Sequence, residues 1–146
     1  MTEALTRFEL ILKNAPQRLA DISEEAAGLK PDPARWSKKE VLGHLIDSAA
    51  NNHQRFIRAQ FAPMLELPGY EQESWVKANG YATEQWPDLV NLWLLLNRHL
   101  LHVLKLMPAE AAQNQISIGG HPAVSLYAVI VDYLRHMDNH LGQIFA

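Results

Sequence analysis

The sequence predicts an all-α fold, a four-helix bundle, on three observations. Four stretches of about twenty residues carry apolar side chains at the three- and four-residue spacing of a helix with one buried face. No convincing strand system lies between them. The connection over residues 61–86 is far longer than a simple helix–helix turn and can carry the chain back along a bundle.

Length and composition bound the problem. The 146 residues suit one domain, 1–146, that buries about two thirds of its unfolded surface. Hydrophobic residues at 48% and charged residues at 20% are those of an ordinary soluble protein. A net charge of −3 leaves no basic footprint for nucleic acid, so no such partner is expected. The absence of cysteine excludes disulfides, thiolate ligands and a cysteine nucleophile. Glu3, Arg7 and Glu9 interrupt the start of the chain, unlike a secretory leader. The most apolar run, Leu92 to Leu96, meets Asn97, Arg98 and His99 too soon to span a bilayer. A cytoplasmic protein without a membrane partner is expected.

The first helix is expected over Thr2 to Asp21, with Leu5, Phe8, Leu12, Ala15 and Leu19 on its apolar stripe. Pro16 lacks an amide proton and crowds the carbonyl of Leu12, which predicts a kink or short break. A small turn from Ser23 stops at Gly28, and two prolines make residues 30–35 extended. Ser37 and Glu40 then form a capping box, and Trp36 and Val41 stand where a hydrophobic staple packs. The second helix follows, from Lys38 to about Gln60. A polar stripe cuts its apolar surface: His44, Asp47 or Ser48, Asn51 or Asn52, and Arg55.

Pro63, Pro68, Gly69 and Gly80 punctuate residues 61–86, which also hold Tyr70, Trp75, Tyr81 and Trp86. A short helix fits residues 74–78. The segment is either a lid over a site or a cover for one end of the bundle. The third helix starts near Pro87, a favoured first-turn residue, and ends by Met107 before Pro108. His99 and His102 lie among Arg98 and Lys105 and read as a solvated face. Residues 116–120 hint at a short hairpin. Ser125 caps the fourth helix, which runs to Ile144.

That fourth helix carries Asp132, His136 and His140 four residues apart, on one face and about 6 Å from each other along the axis. Two imidazoles so spaced can grip one divalent ion. Alone, such a pair is a weak signal, and His44 alone reads equally as a core histidine bonded to a neighbour. The three rings meet only if the start of helix two lies beside the end of helix four. Those helices are then antiparallel, which simple up-down-up-down connectivity forbids. The metal reading thus predicts up-down-down-up, with the long connection returning the chain. Three histidines leave positions open for water or substrate, as in a catalytic site. Imidazoles suit zinc, nickel, copper or iron. Asp47, one turn from His44, is either an orienting partner for its ring or an ordinary partner of a surface cation.

Two segments carry a resemblance. Trp36-Ser37, Glu40 through Ser48 and Asn51 through Phe56 resemble the second helix of the DinB/YfiT-like superfamily. Asp132-Tyr133 and His136 through Ile144 resemble its fourth. The resemblance implies a bundle of the same connectivity, metal ligands at His44, His136 and His140, and nickel or zinc as the commonest ion. It also implies a homodimer and a small-molecule substrate. The activity it implies is a metal-dependent thiol S-transferase, using a low-molecular-weight thiol such as bacillithiol, mycothiol or glutathione. A metal-dependent hydrolase and a non-catalytic metal- or ligand-binding dimer are the alternatives. Asp47, Asn51 and Asp132 are then candidates for ring orientation or substrate contact.

Overall fold

In the computed structural model, which describes residues 1–146, the capping box at Ser37 is complete. The Glu40 amide donates to Ser37 Oγ at 3.3 Å, and the Ser37 amide donates to Glu40 Oε1 at 3.1 Å. This fixes the start of the central helix, α3 (Lys38–Arg58). The other long helices are α1 (Thr2–Ala20), α5 (Trp86–Leu106) and α6 (Leu126–Phe145), with α2 (Glu24–Gly28) and α4 (Gln72–Asn79) as short additions. Phe8, Phe56, Trp93 and Tyr133 are buried between the four long helices. None of the helices is long and apolar enough to cross a membrane.

The helix directions follow from what joins their ends. Strand β1 (Met64–Leu67) comes soon after α3, and β2 (Gln115–Ile118) soon after α5. They pair in parallel, Leu65 opposite Ile116, so α3 and α5 finish at the same end and run the same way. Trp86 Nε1 donates to the Leu19 carbonyl at 2.8 Å, which sets the end of α1 on the start of α5. Arg7 pairs with Asp138, and Arg18 lies over the Phe145 ring at 3.9 Å, so α1 and α6 are parallel. The bundle is up-down-down-up, as the histidine spacing required.

The structure corrects the sequence reading in three places. α1 passes through Pro16 without a break. Only one backbone bond is lost there, and buried Phe8, Leu12, Ala15 and Leu19 hold both sides of the helix to the core. The suggested hairpin is real but belongs to a three-stranded sheet: β2 also pairs antiparallel with β3 (Val124–Ser125). β1 was missed because its four residues are too few for periodicity to register. The short helix in the long connection is also longer than expected, Gln72–Asn79 rather than residues 74–78.

One glycine in α3 is a packing requirement. A Cβ at Gly43 would fall 2.0 Å from the Tyr81 ring. With the ring packed there, the Tyr81 hydroxyl donates to Asp47 Oδ1 at 2.7 Å, one turn on. Asn79 Nδ2 reaches the same oxygen at 3.0 Å. The long connection is thereby pinned to α3. Gly43→Ala raises intrinsic helix propensity by about 1 kcal/mol, but overpacking against an aromatic ring costs roughly 1–3 kcal/mol. The expected net result is a lower midpoint of thermal unfolding; a rise would show that Tyr81 is not held there.

Candidate metal centre

His44 stands two turns into α3 and is only 1% exposed. His136 and His140 lie in the last three turns of α6 and are half-buried. Because α3 and α6 are antiparallel, the three rings arrive at one place. His44 Nε2 and His136 Nε2 are 2.9 Å apart. Ring centroids are separated by 4.8 Å for His44 with each partner and by 4.5 Å for His136 with His140. All three pairs meet edge to face, and one ring nitrogen from each lies within 4.8 Å of the others. Trp36, at the capping box, covers His44 with its ring centroid 5.1 Å away.

Burial, and then repulsion from His136 and His140, pushes the His44 pKa from 6.5 down to about 4. Burial and His140 also lower that of His136, against the attraction of Asp132. Both rings are therefore held in the neutral form at pH 7, in which one nitrogen of each ring carries a lone pair. His140 Nδ1 is 3.0 Å from Gln143 Oε1. A proton on Nδ1 serves that bond and leaves Nε2 as a donor to a metal. The cluster contains no carboxylate, and the buried Nδ1 atoms of His44 and His136 have no hydrogen-bond partner. Three imidazoles with converging nitrogens and nothing anionic among them fit a soft-to-borderline divalent cation.

The other candidates are placed differently. Asp132 is exposed, pairs with Arg135 and lines the cavity beside His136. Asp47 is 2% exposed and faces Tyr81 and Asn79 rather than the His44 ring; burial raises its pKa, against the Tyr81 hydrogen bond. Its second oxygen has no partner. Asn51 turns back on its own helix, donating to the Asp47 carbonyl at 2.9 Å. His99 and His102 are exposed on α5, as their charged neighbours suggested.

A cavity opens from the histidines in two lobes. One, of about 500 Å³, has apolar walls including Ile116 and Val129. The other, of about 550 Å³, is more polar and includes His44. Arg55, Tyr70, Ile118, His121 and His136 line both. Tyr70, His121 and Gln143 had no assigned role in the sequence reading. The first two sit in loops, where no periodicity marks them. Gly119 and Gly120, with φ of 62° and 79°, make the turn that brings His121 over the cavity. Gln143 was detectable in principle, three residues after His140 on the same helical face.

Fold and cluster together define a four-helix bundle of unusual connectivity with an open group of three histidines. The chain belongs to the DinB superfamily, whose sequence model matches residues 7–144. Among solved structures it is similar to YfiT from Bacillus subtilis, described as a probable metal-dependent hydrolase with an unusual four-helix bundle topology. That likeness covers 98% of this chain and 82% of YfiT, at a TM-score of 0.86 and 14% identity. A mycothiol-dependent maleylpyruvate isomerase is similar over 99% of this chain at a TM-score of 0.79 and 14% identity. This chain spans only 60% of that one. Likeness at this identity shows a shared fold. No curated protein matches the sequence.

The depressed histidines make a prediction for metal-free protein. The unfolded chain takes up a proton at His44 as pH falls through about 6.5, whereas the folded protein resists until about 4. Protonation thus favours unfolding across that window. With chelator present, the urea midpoint is expected to fall steadily from pH 6.5 to 4, and a His44→Gln variant to show a flatter profile. Parallel profiles would disprove the assignment.

Proposed function

We propose that the protein is a metal-dependent enzyme that uses a small thiol, most simply as an S-transferase. His44, His136 and His140 would hold a divalent cation, nickel or zinc. The observation that carries the reading is the convergence of three imidazoles, free of any carboxylate, with His44 and His136 at the wall of an open cavity. A cation bound there would acidify a thiol and stabilise its thiolate.

The rest of the reaction falls to the chain and its substrates. The protein has no cysteine, so the sulfur nucleophile must arrive as a small molecule. The thiol loses its proton to solvent water, its sulfur bonds to an electrophilic carbon, and the leaving group departs with the displaced pair. His44 and His136 stay unprotonated near neutral pH and so remain available as ligands. The lobe with apolar walls offers room for the electrophile. Asp132 at its rim contacts substrate, and Asp47 acts indirectly, by fixing Tyr81 and Asn79 against α3. Asn51, bonded to the backbone one turn back, stiffens the helix near His44. The likeness to a mycothiol-dependent isomerase supports a thiol. The likeness to YfiT supports a second reading, a metal-dependent hydrolase. We also expect a homodimer, as the family resemblance implies.

Elemental analysis of untagged protein is expected to give near one divalent ion per chain, and His136→Ala and His140→Ala to abolish it. Gln143→Ala, which frees the His140 ring, is expected to weaken metal affinity about 10–100-fold. Loaded protein should consume a small thiol when an electrophile is added. Hydrolysis of activated esters or amides without thiol use would favour the second reading. Metal without turnover by either route would overturn the enzymatic one.

A further inference from the structure

We infer that Arg55 is the anchor for a carboxylate of the substrate, which makes the substrate of this cavity a small carboxylic acid. The inference deepens the proposed function and rests on the cavity being a substrate site.

Arg55 ends the polar stripe of α3, three turns beyond His44. Those turns span about 16 Å of helix axis. Side chains on a helix lean toward its N-terminus, so the long Arg55 side chain points back toward the histidines. It lines both lobes of the cavity, and His136 does the same. It takes part in none of the molecule's ion pairs. The acidic groups on the cavity walls do not neutralise it: Asp132 is paired with Arg135, and Glu71 does not reach it. Its only close charge-sensitive neighbour is the Tyr70 ring, whose centroid lies 5.9 Å from the guanidinium carbon. Burial accordingly lowers the Arg55 pKa and raises that of Tyr70.

A half-buried guanidinium without a counter-charge is unusual, because desolvating a cation is costly unless it is paired. Its planar fork matches a carboxylate in two parallel hydrogen bonds. The Tyr70 hydroxyl, on the same wall, can donate a further one. A ligand with its carboxylate on Arg55 would extend along the polar lobe, with its reacting end beside the histidines. Either the thiol or its electrophilic partner could bring that carboxylate.

The test is calorimetric binding to wild type, Arg55→Gln and Arg55→Lys, with and without chelator. The probes are glutathione, its dimethyl ester, and succinate as a carboxylate without sulfur. Arg55 makes no ion pair and only a long contact with the Tyr70 ring, so the variants are expected to melt close to wild type. Wild type should bind glutathione or succinate at least tenfold tighter than Arg55→Gln, the scale of a charge-assisted hydrogen bond. Arg55→Lys should recover part of the loss. If glutathione shows the loss and the ester does not, the carboxylate comes from the thiol. If only succinate shows it, it comes from the electrophile. Equal affinity of wild type and Arg55→Gln for both acids would overturn the inference. The chelated arm keeps it separate from the metal assignment: failure to bind metal would sink that assignment and leave the Arg55 comparison readable.

Discussion

His44 can meet His136 and His140 only if α3 and α6 run in opposite directions, and that single juxtaposition organises the rest of the molecule. Helices two apart in a simple up-and-down bundle are parallel. To reverse them, the chain must return the length of the bundle between α3 and α5. The return segment holds β1, α4 and the turn at Tyr81, each fastened to something already in place. β1 adds to β2 in parallel, and Tyr81 locks onto Gly43 and Asp47. The sheet is therefore a clip for the ends of α3 and α5, and has no need of a large apolar face of its own.

The same return segment forms one side of the site. The sequence left open whether it is a lid or a cover, and its contacts give it two tasks. Through Tyr81 and Val76 it covers α3, both residues being almost fully buried. Through Tyr70 it contributes to the cavity wall. The electrostatic arrangement beneath is asymmetric. The buried Asp47 carboxylate is held by a hydroxyl and an amide, not by a cation. The cation that stands nearest the cavity, Arg55, has no carboxylate. Each group would gain from pairing with the other, yet the fold directs them to different neighbours. That separation leaves a positive group available at the cavity and a negative one out of reach of any ligand.

How much of this was visible in the sequence depends on what fixes each residue. Long helices with one apolar face announce themselves by period, and Ser37 and Ser125 mark two starts through side-chain caps seen in the structure. The three histidines sit on those helices, so spacing set the condition for their meeting, antiparallel α3 and α6, and the family resemblance supplied the set of three. β1 did not register, because four residues of alternating burial are indistinguishable from loop. Pro16 does not break α1, because buried side chains on either side of it hold the helix to the core. Nothing in the local sequence marks Gly43, because Tyr81, nearly forty residues on, occupies the space of its missing Cβ. Asp47 is open in the sequence between orienting His44 and pairing with a surface cation; in the structure its Oδ1 accepts from the Tyr81 and Asn79 side chains arriving from the return segment.

There is a physical reason why the metal-binding character is legible and the substrate is not. An ion needs donors held to within a fraction of an ångström, and helices packed in a core supply that rigidity. Their positions are written in a regular period. Substrate-facing groups tolerate, and often require, variation, and loops carry them at low cost to the core. Here Tyr70 precedes α4 and His121 follows a double-glycine turn. Arg55 and His136 differ from the other residues shared by both lobes in sitting on long helices, and Arg55 alone of the five carries a guanidinium, on the same stripe as His44. A group that is both period-bound and substrate-facing fixes the distance from the reacting atoms to whatever it grips. It therefore constrains the substrate's length and charge more tightly than either loop residue does.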